Sequence, residues 1–276
     1  MLTAVDEGIG NITRTLQDVD RWNSTLLVLT SDNGAPTTGC GGAQGGQNWP
    51  LRGGKCSAWS GGNRVPALIR GPGVVAGRTL SQLAHVTDWG PTILSFVDPN
   101  NTRKNRHQAM LPLDGVDLKP ALTKADEVPA ARDTVLLEAD PYAFPWSGRN
   151  FQGDQHATPF YAIRDAQYKL MIGDPGQPGI VDAYYCTGPP CPATHNNSAN
   201  ASAVPVYNVS TVLLFDLVND PFESTNIAEQ HPDVVARLRG LIEEYNATAA
   251  SSAQQGLPDD PRADPKNFNN TVTPWM

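Results

Sequence analysis

An Asp and an Asn stand side by side just after a short apolar run, in the segment Ser31-Asp32-Asn33-Gly34. The run itself, residues 25–30, is closed by a glycine turn and is typical of a buried β-strand. In open α/β sheets, ligands bind just beyond the carboxyl ends of the strands. The side-chain oxygens of Asp32 and Asn33 suit a hard cation, Ca²⁺ or Mg²⁺. An Asx turn that merely ends the strand is the alternative.

A glycine-rich segment that carries three cationic side chains follows over residues 48–64. The cations are Arg52, Lys55 and Arg64. Glycine lets a backbone approach a ligand closely. Arg holds an oxyanion through two parallel hydrogen bonds, whereas Lys acts as a point charge. Next to a metal site at Asp32 and Asn33, these residues predict an anion bound between the metal and the Lys and Arg side chains. A solvated basic loop is the alternative.

Alternating helices and strands are expected to position these side chains in the first part of the chain. Apolar residues at helical spacing predict an amphipathic helix over residues 1–18. Strands are predicted at 25–30 and 65–70, and a helix at 89–97. The alternation indicates a mixed α/β sheet with covering helices.

The pattern changes near residue 130, where short strands separated by Gly and Pro clusters indicate an antiparallel sheet. A Pro-, Asn- and Ser-rich loop over residues 174–208 and an amphipathic helix over 231–247 accompany them. We therefore expect two domains, 1–128 and 129–276. The predicted strands of the second domain are 134–138, 160–164, 168–172 and 211–215.

Composition excludes some classes of partner. The chain has 276 residues, of which 39% are hydrophobic and 17% charged, and a net charge of −8. The negative charge argues against nucleic acid as a partner. Apolar runs near eighteen residues are absent from the sequence, so we expect no membrane span. The segment 1–18 has the spacing of a helix and not the composition of a secretory signal.

Acceptor sites for N-linked glycans are unusually frequent. Eight such tripeptides occur, which exceeds chance and predicts a glycoprotein of the secretory pathway, lysosomal or extracellular. An Asn- and Thr-rich surface is the alternative. They begin at Asn11, Asn23, Asn100, Asn196, Asn200, Asn208, Asn246 and Asn269.

The four cysteines allow three disulfide pairings. Cys186 and Cys191 are spaced for a small local bridge. Cys40 and Cys56 flank the glycine-rich loop and could pair across it. A metal site built on cysteine is less expected, because no His stands at ligand spacing.

Several motifs occur together in a recognisable order. A strand with Ser-Asp-Asn-Gly precedes Asn-Trp-Pro-Leu-Arg-Gly-x-Lys and Gly-Gly-x-Arg. This order resembles the sulfatase family over nearly the whole chain, and within it the arylsulfatase B branch, which includes N-acetylgalactosamine-4-sulfatase. Further matching segments are His85-Val-Thr-Asp-Trp89, Pro112-Leu-Asp-Gly-Val-Asp117, Tyr168-Lys-Leu, Leu214-Phe-Asp-Leu-Val-Asn-Asp-Pro221 and Asp260-Pro-Arg-Ala-Asp-Pro-Lys266.

The resemblance implies a fold and roles for the site residues. It implies the remainder of an alkaline-phosphatase-like mixed sheet with helices, followed by a smaller α+β domain with an antiparallel sheet and one helix. Asp32 and Asn33 would ligate one divalent cation, usually Ca²⁺, with Mg²⁺ possible. Lys55 would be a catalytic residue that contacts a sulfate oxygen of a sulfated sugar or aryl sulfate ester. Arg52 and Arg64 match family positions and either brace the loop or contact substrate.

The family's nucleophile does not occur in this sequence. Sulfatases attack sulfur with a formylglycine made from the Cys of Cys-x-Pro-Ser-Arg, and none of the four cysteines lies in that motif. The resemblance therefore implies a C-terminal portion of a sulfuric ester hydrolase. The formylglycine is expected in an N-terminal half, so this chain alone is expected to be inactive.

Two other functions compete with this interpretation. A phosphoesterase of the same superfamily is one, but such enzymes tend to have Asp-His where this chain has Asp32-Asn33. Histidine suits zinc, whereas an Asn oxygen suits Ca²⁺ or Mg²⁺. The other is a non-catalytic secreted glycoprotein that keeps an anion-binding pocket. His85 and Asp88 could act as an acid–base pair, but we expect them to have a structural role or to support a neighbouring site residue.

Overall fold

The computed structural model describes residues 2–36, 46–98, 113–124, 128–140, 160–176 and 210–249. Helices, strands and glycine-rich turns alternate in the first part, and an antiparallel sheet with a long helix forms the second. The elements of the first part are α1 (Leu2–Asp18), β1 (Leu27–Thr30), α2 (Ser60–Asn63), β2 (Ala67–Arg70), α3 (Trp89–Val97) and α4 (Lys119–Thr123). Those of the second are β3 (Thr134–Asp140), β4 (Phe160–Asp165), β5 (Tyr168–Ile172), β6 (Val212–Asp216) and α5 (Pro232–Thr248).

Strands β1 and β2 form a two-stranded antiparallel sheet, with Leu27 opposite Arg70 and Thr30 opposite Ala67. The prediction of a buried strand at this position is wrong as to burial, since Leu29 is 42% exposed. The residues of a two-stranded sheet are buried only where other elements pack on its faces. Helix α1 has no buried residue within the described part of the chain.

The second part is a four-stranded antiparallel sheet in the order β3-β4-β5-β6. Because successive side chains alternate between the faces of a strand, Leu170 and Leu214 point to one face and Met171 and Phe215 to the other. The helix α5 covers the first face, where Leu238 and Ile242 are buried against Ile163, Leu170 and Leu214. The predicted antiparallel sheet with one helix is confirmed.

Residues of the first part of the chain cover the opposite face of this sheet. Trp59, in the glycine-rich segment, is 0% exposed and packs with Phe160, Ala162, Met171 and Phe215. The ring centroids of Trp59 and Phe215 are 5.6 Å apart. The glycine-rich segment is thus fixed on the second sheet by burial of a large aromatic side chain. The boundary between residues 128 and 129 stays a prediction.

Most predicted elements are present with small shifts at their ends. The strand at 168–172 and the helix at 89–97 coincide with β5 and α3, whereas β3 runs on to Asp140. Helices α2 and α4 were not predicted, because four and five residues are too few to show a helical period. The predicted loop 174–208 lies, from residue 177 on, outside the described residues. Within the described residues, the structure contains no helix that combines the length and the hydropathy of a transmembrane span.

Candidate functional site

The turn after β1 exposes the predicted metal ligands. Asp32 is exposed and Asn33 is half-buried. The Asn33 backbone N–H donates to Asp32 Oδ1 at 2.9 Å, and Ser31 Oγ donates to the Asn33 carbonyl at 2.9 Å. The Ser31 N–H donates to the carbonyl of Pro66, just before β2. The turn is therefore ordered by short local bonds and presents the Asp32 carboxylate to solvent.

Asn48 joins this turn to the glycine-rich segment. Its Oδ1 accepts from the Ala35 N–H at 2.8 Å, and its Nδ2 donates to the carbonyls of Ala35 at 2.8 Å and Gly53 at 3.0 Å. An Asn amide has two N–H donors and one acceptor oxygen, so one side chain can satisfy backbone groups in two separate segments of the chain. Asn48 therefore fixes the distance between the turn and the segment that carries Lys55.

Lys55 lies against the same turn. Its backbone N–H donates to the Ala35 carbonyl at 3.1 Å, two residues after Asn33, and its side chain is exposed. The next residue, Cys56, has a φ of +69° and is disulfide-bonded. The other three cysteines lie outside the described residues, so the predicted pairing of Cys40 with Cys56 and that of Cys186 with Cys191 stay predictions.

A close backbone approach requires glycine at two facing positions. The Gly34 N–H donates to the Gly62 carbonyl at 2.9 Å. A Cβ built on Gly34 would lie 1.6 Å from the carbonyl oxygen of Gly61. Any side chain at position 34 would therefore push the turn away from α2 and from the glycine-rich segment.

Arg52 and Arg64 occupy different environments. Arg52 Nη1 donates to the Glu223 carbonyl at 2.7 Å, and its guanidinium lies 3.8 Å from the centroid of the Trp59 ring. These contacts brace the segment. The side chain of Arg64 is exposed. Burial, and then the charge of Arg64, lower the pKa of Arg164 on β4. Substrate contact by either arginine stays a prediction.

A divalent cation fits the donor chemistry of the turn. Asp32 supplies an exposed carboxylate and Asn33 an adjacent amide oxygen, which are the ligands that Ca²⁺ and Mg²⁺ prefer. Among the described residues, no group of three or more His, Cys, Asp or Glu side chains could hold a metal ion. Ca²⁺ takes about six to eight oxygens. The two side chains are thus suited to a hard cation but would form only part of its ligand shell.

Asp88 has a structural role, as expected. Asp88 is 0% exposed and pairs with the Arg132 guanidinium, while its carboxylate also accepts from the backbone N–H groups of His85 at 2.7 Å and Val116 at 2.9 Å. Arg132 Nε donates to Asp88 Oδ2 at 3.0 Å. A carboxylate saturated in this way is not available as a general base.

The sequence did not reveal the residues that position the site. Asn48 and Lys169 appeared only within matching segments and were given no role of their own, and Glu223 was not singled out. Asn48 stands next to Trp-Pro in the glycine-rich segment, and Glu223 follows Asp-Pro-Phe after β6, so both lie in turn-forming sequence. That context indicates a loop but not which distant backbone groups the side chain contacts.

Residues 1–99 match the sulfatase family model, described as "Sulfatase". A mouse (Mus musculus) arylsulfatase J is 28% identical over 281 residues, which cover 100% of this chain and 43% of that protein. A bovine (Bos taurus) arylsulfatase A is 30% identical over 252 residues, covering 90% of this chain and 42% of that protein. The chain thus spans less than half the length of these relatives.

Solved structures give the same picture for the fold. A sulfatase from Pseudoalteromonas sp. superposes with a TM-score of 0.57 at 21% identity, over 89% of this chain and 41% of that one. A protein solved in complex with its substrate D-glucosamine-2-N,6-O-disulfate superposes with a TM-score of 0.53 at 21% identity, over 90% and 39%. The alkaline-phosphatase-like fold is therefore confirmed. The family match spans the segment that carries Asp32, Asn33 and Lys55, and arylsulfatases align over nearly the whole length of this chain.

Proposed function

We propose that this chain supplies the cation- and sulfate-binding side of a sulfuric ester hydrolase. The observation that carries the proposal is the hydrogen bond from the Lys55 N–H to the Ala35 carbonyl, reinforced by Asn48. It keeps the backbone of Lys55, whose side chain is exposed, beside the turn that presents Asp32 and Asn33. A cation and an ammonium group facing one space form a site for a tetrahedral oxyanion.

Each side chain has a distinct task in this proposal. Asp32 and Asn33 hold Ca²⁺, with Mg²⁺ as the alternative cation. The bound metal would stabilise negative charge on the sulfate oxygens. Lys55 donates to a sulfate oxygen and stabilises the charge that develops as the ester bond breaks. Arg52, held by Glu223 and Trp59, keeps the segment in place. Arg64 is exposed and available to the rest of the substrate.

The relatives support a sulfated sugar or an aryl sulfate ester as substrate. Arylsulfatases align over nearly the whole chain, and one structural neighbour was solved with a disulfated glucosamine. The match to an arylsulfatase J over the full chain supports membership of the arylsulfatase B branch, which includes N-acetylgalactosamine-4-sulfatase. The sequence has no Cys-x-Pro-Ser-Arg, the source of a formylglycine nucleophile. We therefore propose that these 276 residues bind sulfate but do not turn over an ester alone.

Calorimetric titration of the chain with CaCl₂ and then with sodium sulfate tests the binding proposal. Lys55→Met is expected to weaken sulfate binding about tenfold or more, since a hydrogen bond to a charged group contributes about 1.5–3 kcal/mol. Calcium binding should change little in that variant. Asp32→Asn should weaken calcium binding and, with it, calcium-dependent sulfate binding. Lys124→Met, which alters an exposed lysine elsewhere, is the matched control.

Three results would count against the proposal. Sulfate binding that is equal in Lys55→Met and Lys124→Met would remove Lys55 from the site. Zinc bound in preference to calcium, with hydrolysis of a phosphate monoester, would favour a phosphoesterase. Robust turnover of a chromogenic aryl sulfate by the 276-residue chain would contradict the statement that it cannot act alone.

We also propose that the chain is a glycoprotein of the secretory pathway, lysosomal or extracellular. Three of the eight acceptor sites lie in the described part of the chain, and two of them, Asn11 and Asn23, have exposed side chains. The third, Asn246, is half-buried on α5. Expression behind a secretion signal, followed by endoglycosidase digestion, should lower the apparent mass. Unchanged mobility after digestion would refute N-glycosylation.

A further inference from the structure

A buried ion pair joins the second sheet to the glycine-rich segment. Lys169 Nζ on β5 lies 2.7 Å from Glu223 Oε1, and the two side chains are 1% and 0% exposed. Glu223 Oε2 accepts from the backbone N–H of Ser60 at 2.7 Å. The Glu223 carbonyl accepts from Arg52 Nη1 at 2.7 Å. A single residue after β6 therefore contacts both ends of residues 52–60.

Stability alone does not explain this arrangement. A buried ion pair loses hydration on both partners and can often be replaced by apolar side chains without loss of stability. Burial lowers the pKa of Lys169, although the Glu223 carboxylate opposes the shift. Glu223 also has a φ of +56°, a region of backbone space that favours glycine and asparagine. Both features are unfavourable on their own, so a role in fixing the contacted segment accounts for them better.

The segment that Glu223 contacts is the one that presents Lys55. Lys55 lies between Arg52 and Ser60, the two residues that Glu223 binds, and its own N–H reaches Ala35. The Gly61 N–H donates back to the Arg52 carbonyl at 2.6 Å, which closes the segment into a compact loop. Fixing both ends of this loop fixes the backbone of Lys55 relative to the turn after β1.

We propose that Glu223 is a positioning residue for Lys55: with Lys169, it holds residues 52–60 against the second sheet and so keeps Lys55 beside Asp32 and Asn33. The identity of Lys55 as the sulfate ligand rests on the proposed function. The fixing of the loop by Glu223 does not, so the two statements can fail separately.

Native-state amide hydrogen exchange on the 276-residue chain tests the proposal directly. Glu223→Gln keeps the size of the side chain but removes its charge and turns an amide donor toward Lys169 or the Ser60 N–H. The Lys55 and Gly61 amides should then exchange about tenfold faster or more, through local opening of the loop. Leu238→Ala is the control, because Leu238 is buried on the opposite face of the same sheet. It should speed exchange in the sheet without selective loss of protection at Lys55 and Gly61.

A second variant removes one contact and leaves the ion pair intact. Ser60→Pro deletes the N–H that Glu223 Oε2 accepts, and proline is tolerated at the first position of a helix. The preceding Trp59 has φ −62° and ψ 154°, which a following proline permits. Should Glu223→Gln fail to fold, faster exchange of the Lys55 amide in Ser60→Pro supports the proposal.

Unchanged protection of the Lys55 and Gly61 amides in both folded variants would overturn the proposal. An equal loss of protection at these two amides in Leu238→Ala would also overturn it. Titration with sodium sulfate in the presence of CaCl₂ adds the functional readout. Sulfate affinity should fall about tenfold in Glu223→Gln, with calcium affinity changed less than about twofold. If the unaltered chain binds no sulfate, the proposed function fails, and the exchange rates still decide whether Glu223 positions Lys55.

Discussion

The side chain of Asn48 pairs with both backbone polar groups of Ala35. The Ala35 N–H donates to Asn48 Oδ1 and Asn48 Nδ2 donates to the Ala35 carbonyl, each at 2.8 Å. A third bond, from Nδ2 to the Gly53 carbonyl, brings in the glycine-rich segment at 3.0 Å. A side chain that saturates groups on two distant stretches of backbone acts as a fixed spacer between them. The candidate site depends on that spacing.

Replacing Asn48 should weaken the packing of the candidate site and lower the stability of the fold. Asn48→Ala removes the partner of the Ala35 N–H and of the Gly53 carbonyl, while the Ala35 carbonyl keeps only the Lys55 N–H. This loss in a half-buried region should lower the free energy of unfolding by about 2–3 kcal/mol. Asn63→Ala is the matched control, because Asn63 donates one bond to the Ala58 carbonyl and is exposed. Its cost should stay below about 1 kcal/mol. Urea unfolding at neutral pH measures the free energy of unfolding of both variants. Equal losses would show that Asn48 contributes no more to stability than the exposed Asn63.

A methyl group at position 34 should be poorly tolerated. The Cβ of Gly34→Ala would lie 1.6 Å from the Gly61 carbonyl oxygen, so the turn and α2 must separate, at about 3 kcal/mol or more. Gly240→Ala is the control: it lies in α5, and a Cβ there meets nothing within 4 Å. That substitution should stabilise the chain by about 0.5–1 kcal/mol, because alanine is the better helix former. Thermal unfolding of both variants reports the difference, and a Gly34→Ala variant as stable as the unaltered chain would contradict the close approach.

The elements predicted well are those whose apolar residues repeat at one period. The helix α3, the strand β5 and, within one residue, the helix α5 follow directly from such spacing. Strand β1 was placed correctly but given too much burial, because burial depends on what covers a strand and not on its own residues. The candidate ligands Asp32, Asn33 and Lys55 came from their position beside a strand and within a glycine-rich segment.

The residues that position the site could not be derived from local sequence. Glu223 and Ser60 are 163 residues apart in sequence yet share a hydrogen bond of 2.7 Å. No periodic pattern encodes such a contact, because it arises only when the second sheet folds against the segment. The positive φ values of Cys56 and Glu223 also run against residue preference, and tertiary contacts impose them.

The buried ion pair of Arg132 and Asp88 should contribute far more to the stability of the fold than an exposed ion pair does. Arg132→Met leaves the fully buried Asp88 carboxylate with backbone donors alone, which should cost about 3–5 kcal/mol. Arg237→Met breaks the pair with Asp165, in which Arg237 is 49% exposed, and should cost about 1 kcal/mol or less. Both variants exchange the same residue types, so urea unfolding compares a buried pair with an exposed one. Arg132 Nη1 also donates to the Thr134 carbonyl at 3.2 Å, and the loss of this bond adds to the cost of Arg132→Met. A similar cost for both would show that Asp88 does not need Arg132.

Asp216 should make the chain sensitive to acid. Its carboxylate accepts from the side chains of Gln167 at 3.0 Å and Asn219 at 2.9 Å, and from the backbone N–H of Val218 at 3.0 Å. These bonds, that from Gln167 foremost, lower the pKa of Asp216 from 3.8 to about 2. A carboxyl group with a lowered pKa stabilises the fold above its ordinary pKa. This contribution is lost as the pH falls through the pKa of the folded state.

The contribution of Asp216 can be isolated with one neutral variant. Asp216→Asn should be less stable than the unaltered chain at pH 6, and the difference in the free energy of unfolding should shrink between pH 4 and pH 2. The comparison is made at each pH, so the titration of every other carboxyl group cancels. Because Asp216 is only half-buried, the difference at pH 6 should stay modest. A difference that is constant from pH 6 to pH 2 would mean that Asp216 shapes the turn after β6 without stabilising it through its charge.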